Sequence, residues 1–404
     1  MKKLFSAITA ILLIAVSHAQ YSYTNENSQP VVKSVESIAS DANGNLVFSG
    51  SFDSNISFGS FTLTTSNVAA AFIAKKLANG NYSWAKAIIT NSIPGGTSSV
   101  SIKGVSIDAA GNAYVTGGFK GKISFDNINL SSLKKGSTYY SDMFTAKILA
   151  SGAFQWAKLA GTTNVSDPCW GGFEWGNSVT TDNAGNVYAV GVLVDKVFNN
   201  ASACAQLCGP LSTNSTSNSV YVVKYNSSGT RIWEKKYINS QANGSICNDI
   251  LSAQDVESDG NNIYISGNLY GSVSFGNVTL NTGGMTNVFL LKLDANGNTI
   301  WATSVTNANN SFTWGDADQL YLDKNTNDLY LSGRFSHING GTLSFGGPTL
   351  TSPTYAFYNA KYASTGICLW ATLTGGAPLG VTRHPNGNLE IGRASCRERV
   401  WRYV

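Results

Sequence analysis

Apolar and polar positions alternate along most of this chain, in short runs broken by Gly, Asn, Asp and Ser. Alternation of that kind marks a half-buried strand. Leu46 to Gly50, Ala113 to Gly117, Val187 to Gly191, Ile263 to Gly267 and Leu329 to Gly333 show it, and each ends on Gly. No amphipathic 3.6-residue pattern follows the N-terminal leader, so helix is expected to be nearly absent.

The runs recur in a fixed order, which marks a repeat protein. Trp84, Trp156, Trp233, Trp301 and Trp370 fall about 70 residues apart and each closes one unit. A unit opens with a short strand ending in Asp, such as Ser37 to Asp41 or Val105 to Asp108, followed by a Gly- or Asn-bearing turn. These residues tolerate positive φ and bond their own backbone, so a hairpin is predicted there. The Gly-ended strand comes next, then a small hairpin with its turn at Gly59-Ser60, Asp126-Asn127, Gly276-Asn277 or Gly346-Gly347. The third unit lacks that hairpin and carries Cys204 and Cys208 instead.

A third strand follows with an aromatic three residues before a Lys: Phe72/Lys75, Phe144/Lys147, Tyr221/Lys224, Phe289/Lys292 and Tyr358/Lys361. The Lys column is read as structural, its stem covering an aromatic while its charge stays wet. The fourth strand carries the Trp. Four strands joined by tight turns make an antiparallel sheet with two faces to bury, so neighbouring units must stack. The fold class expected is all-β, a β-propeller of four-stranded antiparallel blades, with five complete repeats and a truncated sixth. An array of β-sandwiches fits less well, because the units are short and lack Pro-rich linkers. Tyr21 to Thr24 resembles a fourth strand without its predecessors and could close the last blade.

Composition adds the compartment. Lys2 and Lys3, the apolar stretch Leu4 to Val16, and Ser17-His18-Ala19 read as a secretory signal peptide over residues 1–19. Repeats occupy 20–389, and no later stretch is apolar enough for a membrane span. Residues 390–404 read as foreign, because Ile391 to Val400 matches a translated sequencing adapter. Charged residues make up only 12%, and the net charge of +4 is scattered, so nucleic acid is not an expected partner.

In an oxidising compartment the cysteines invite bridges. Cys169 and Cys247 hold equivalent places in two successive links and are expected to pair, as are Cys204 and Cys208; a cross-pairing between the two sets is the alternative. Cys368 reads as a buried free thiol.

Candidate ligand-binding residues are the aromatic links. Trp170, Phe173, Glu174 and Trp175 join units two and three; Trp314 and Asp316 join units four and five. Trp175-Gly176-Asn177 and Trp314-Gly315-Asp316 are aligned with each other. Exposed Trp beside acids and amides suits sugar or peptide capture. Glu174, Asp249, Asp255, Asp316 and Asp318 are all placed in links between repeats. The histidines are His18, His337 and His384, which do not group into a catalytic or metal-binding set. The repeated Asp of the first turn could suggest calcium, but one turn supplies too few oxygens, so it is read as satisfying turn amides. No catalytic residue, metal or cofactor is expected.

Asp108 to Gly117, Phe125, Phe144 to Lys147 and Gly152 to Ala157 resemble the repeat of bacterial SBBP-type β-propeller proteins. The likeness spans about Tyr21 to Leu389 and departs in the middle of unit three. It implies an exported surface or secreted protein, often with a C-terminal type IX sorting domain, and no single activity. The expected function is a secreted or cell-surface, monomeric binding or scaffold module for an extracellular glycan or protein. A carbohydrate-active enzyme on the same ring and a structural adhesin are the alternatives.

Overall fold

The computed structural model describes residues 34–65, 70–91, 98–135, 138–161, 174–195, 217–238, 251–307, 314–336, 341–374, 377–383 and 389–394. Every regular element among them is a strand, and all pairings are antiparallel. No helix among them is long and apolar enough to cross a membrane.

Five sheets follow one another, each with its four main strands in chain order. The first contains Ser34–Ser40, Leu46–Phe52, Ala70–Lys76 and Tyr82–Asn91; the second, Ser99–Ile107, Ala113–Lys120, Ser141–Ile148 and Phe154–Ala160. The third contains Trp175–Thr181, Val187–Asp195, Ser217–Tyr225 and Arg231–Ile238. The fourth contains Ser252–Ser258, Asn262–Phe275, Val278–Asp294 and Thr299–Asn307; the fifth, Trp314–Asp323, Asp328–Ser336, Ala356–Tyr362 and Cys368–Thr374. A further hairpin pairs Ala377–Arg383 with Leu389–Ala394, so strand pairing continues into the segment read as foreign.

The core lies between sheets. Trp84 and Ile88 of the first pack with Phe119 and Phe144 of the second. Met143 and Trp156 of the second join Val187 and Tyr221 of the third. The same holds for the third with the fourth and the fourth with the fifth. Each sheet therefore buries its faces on its neighbours, as the repeat requires. The short hairpins expected at Gly59, Asp126, Gly276 and Gly346 are all present, with positive φ at each of those residues. The second and fifth send theirs back to extend the outer strand of the preceding sheet.

The Trp and Lys columns form an inter-sheet staple. Each Lys pairs directly with the Trp on the adjacent strand, as Lys147 does with Trp156. Trp156 Nε1 and Lys147 Nζ both donate to the Ser227 carbonyl in a turn of the next sheet, each at 3.2 Å. Trp233 with Lys224 uses Ala295 in the same way, and Trp301 with Lys292 uses Ser364. The turn Gly lies under the Trp ring, so a Cβ on Gly152, Gly229 or Gly366 would collide with it and one on Gly297 would press on it at 3.2 Å. The lysine charge is thus not wet, contrary to expectation: Lys75, Lys147 and Lys224 are buried and hydrogen-bonded, and Lys147, Lys224 and Lys292 also lie over a Tyr ring.

The Asp of the first turn behaves as a turn acid. Asp108 accepts the Asn112 backbone N–H and side-chain amide and the Tyr114 hydroxyl, and Asp182 and Asp259 repeat the arrangement.

Candidate functional site

The first strands of successive sheets lie side by side. Between them is a cleft of about 680 Å³, lined by residues from the first strands of all five sheets.

Each first strand carries a β-bulge at the same place. The irregularity falls between Val35 and Ser37, Ile102 and Gly104, Gly176 and Ser178, Ala253 and Asp255, and Ala317 and Gln319. The extra residues are therefore Glu36, Lys103, Asn177, Gln254 and Asp318, of which the last four line the cleft. A bulge leaves one residue out of the ladder and re-aims its side chain. Opposite each bulge stands a Gly inside the second strand, which continues beyond it: Gly50, Gly117, Gly191, Gly267 or Gly333. A Cβ on any of them would overlap a first-strand carbonyl, so the Gly column permits the bulge.

The lining is polar, and hydrogen bonds and ion pairs tie it to residues just outside it, Glu36, Ser101, Asp316 and Arg334 among them. Ser101 Oγ and Lys103 Nζ meet the Glu36 carboxylate at 2.5 and 3.4 Å. Asn177 Nδ2 donates to the Ala253 carbonyl at 2.8 Å, and Ser178 Oγ to Asp255 at 2.7 Å. The other Asp255 oxygen accepts the Leu320 N–H at 2.9 Å. Arg334 Nε lies 3.3 Å from Asp316 and 3.5 Å from Asp318. Burial pushes Asp318 up to about 6, against Arg334 and with help from Asp316. Burial and then the neighbouring Asp255 push Glu257, also in the lining, up to about 8. No group of three His, Cys, Asp or Glu placed to hold a metal occurs among the described residues.

The residues singled out from sequence are distributed differently. Cys169, Trp170, Phe173, Cys204, Cys208, Cys247, Asp249, His337 and His384 lie outside the described residues. Glu174 is fully buried, and its carboxylate fills the space beside Gly161. Trp175 is half-buried with its ring packed on Gly118. Trp314 opens the first strand of the fifth sheet. Asp316 accepts Asn268 Nδ2 at 3.1 Å and pairs with Arg334, two residues before the bulge residue Asp318. Asp255, Asp316 and Asp318 are strand residues, not link residues. The bulges also correct the repeat alignment: Asn177 corresponds to Asp318, two places later than Asp316. Cys368 is free as expected but half-buried on an outer strand, and burial pushes its thiol up to about 11. Sequence reading missed the cleft because it treated the Gly column as a strand end; the signal lay in the Gly facing one unlike polar residue per unit.

No family model matches the chain, and no curated protein matches it. Among solved structures, one similar chain is titled a protein of unknown function from Bacteroides caccae. It is 10% identical, with a TM-score of 0.37, over 89% of this chain and 92% of that one.

Proposed function

We propose that this chain is an exported, non-catalytic binding module: a β-propeller whose stacked sheets are the blades and whose central cleft takes a polar ligand, a glycan or a peptide. The stacking of five sheets with adjacent first strands supports the propeller. The strand Ala377–Arg383, which follows the fifth sheet ahead of the segment read as foreign, supports a truncated sixth blade, for which Tyr21 to Thr24 would be the closing strand. The leader-like N-terminus and the SBBP-like repeat support export.

One observation carries the binding reading. The Trp, Lys and Gly of the staple repeat from unit to unit, whereas the bulge residue is Glu36, Lys103, Asn177, Gln254 and Asp318 in turn. A structural position copied with its repeat keeps its residue type. Lys103, Asn177, Gln254 and Asp318 line one cleft, and unlike donors and acceptors gathered there are what recognition of an asymmetric polar molecule needs. The test is a combined glycan and peptide array, followed by calorimetry. Alanine at Asn177 and Gln254 together should weaken the captured ligand about tenfold or more, while Lys158→Ala, exposed on an outer strand, leaves it unchanged. Equal binding by all variants overturns the cleft assignment.

A second reading, a carbohydrate-active enzyme, has one observation in its favour: Asp255, Glu257 and Asp318 share the cleft, with Glu257 and Asp318 held at different raised values. Release of reducing sugar that is lost in Glu257→Gln would establish it in place of simple binding.

A further inference from the structure

We propose that the ligand of this cleft is an uncharged, hydroxyl-rich glycan, and that Asp318, Arg334 and Tyr355 set the preference; the inference rests on the cleft being the binding site. Charged residues at the bulges come with built-in counter-charges. Glu36 is paired with Lys103 at 3.4 Å and Asp318 with Arg334 at 3.5 Å. A charged peptide would have to displace a partner already in place, which gains little. The other bulge residues, Asn177 and Gln254, are amides that both donate and accept, as sugar hydroxyls require.

At the fifth sheet this polar lining runs out to an aromatic surface. Arg334 bridges Asp316 and Asp318 and also donates to the Tyr355 hydroxyl. Tyr355 is 43% exposed, and its ring stands edge-on to Phe357 with centroids 5.0 Å apart, which fixes its orientation. A carboxylate acceptor, a planar donor fork and a fixed aromatic face thus follow one another from the cleft outward. Adjacent hydroxyls of a pyranose can bond to the first two, while its apolar C–H face covers the third.

The experiment titrates the intact chain by calorimetry with neutral hexasaccharides of the malto-, cello-, laminari- and chito- series, and with hexalysine and hexaglutamate. A neutral series should bind, with affinity changing less than about threefold between ~50 and ~500 mM NaCl, because no charge pair is screened on binding. Tyr355→Ala and Arg334→Gln should each weaken it about tenfold, while Tyr355→Phe keeps most of the affinity. Circular dichroism checks that the variants remain folded. Binding of the charged oligomers alone, or of no neutral series, overturns the glycan assignment. Glycan affinity that resists Tyr355→Ala and Arg334→Gln, yet falls in the Asn177 and Gln254 variant, rejects these determinants and leaves the cleft standing. Binding of neither class rejects both readings.

Discussion

A single tryptophan shows how this fold is held together. Trp156 is 5% exposed, donates to Ser227 O in the next sheet and rests on Gly229. Trp370 occupies the same position in the fifth unit but is 39% exposed, and no turn carbonyl among the described residues receives its indole N–H. At the other end of the series, Gly80 has nothing within 4 Å where its four counterparts carry a Trp ring. The staple therefore acts only where a following sheet supplies the turn. Trp156→Phe is expected to cost about 1–2 kcal/mol, a hydrogen bond plus some buried area. Trp370→Phe should stay within about 0.5 kcal/mol. Urea unfolding monitored by circular dichroism measures both, and equal losses would contradict a staple that depends on the next sheet.

At the scale of the strand, the bulge and its facing Gly form one device. Gly117 pairs across from Ile102, beside the Ser101 carbonyl that a Cβ would strike. Gly117→Ala must therefore move the first strand of the second sheet, at about 2 kcal/mol or more. Gly315→Ala is the control. It lies in the first strand of the fifth sheet, where a Cβ would make ordinary contact at 3.6 Å with Leu343. That change should be neutral or stabilise by up to about 1 kcal/mol through the unfolded chain. Thermal melts of the pair test whether the Gly column serves the bulge or merely ends a strand. Moving the strand also re-aims Lys103, so Gly117→Ala should weaken ligand capture even where the protein stays folded.

Across the whole molecule, buried carboxyls set a pH response. Burial pushes Asp142 up to about 7 although the Leu133 N–H donates to it, and Glu257 reaches about 8. A carboxyl whose pKa is raised on folding holds its proton more tightly when native. Its contribution is fully present below the ordinary value of 3.8 for Asp, and stability falls as pH rises toward the folded value. The melting temperature should therefore decline between about pH 4 and pH 8. Asp142→Asn should flatten the part of that decline below about pH 7, and Glu257→Gln the part that extends to about pH 8. An unchanged slope in both variants would show that these carboxyls do not govern the response.

Alternation, turn residues and the columns of Trp, Lys and Gly were enough to place the strands of each unit, the short hairpins and the need for units to stack. Those features are local: a period of two, a turn needing positive φ and an apolar face each leave a mark within a few residues. The site was only half legible. Asp316 lies beside it, Glu174 is buried beside Gly161, and Asp318 and Asp255 were read as link residues, because a bulge shifts which side chain faces outward without altering composition. The buried lysines were misjudged for a related reason, since the carbonyl that receives Lys147 lies 80 residues away. Strands and their order thus came from the sequence itself, through short-range sterics and burial. Tertiary structure decided which polar residue of each strand meets its counterparts in the cleft, because that depends on register between chain segments far apart.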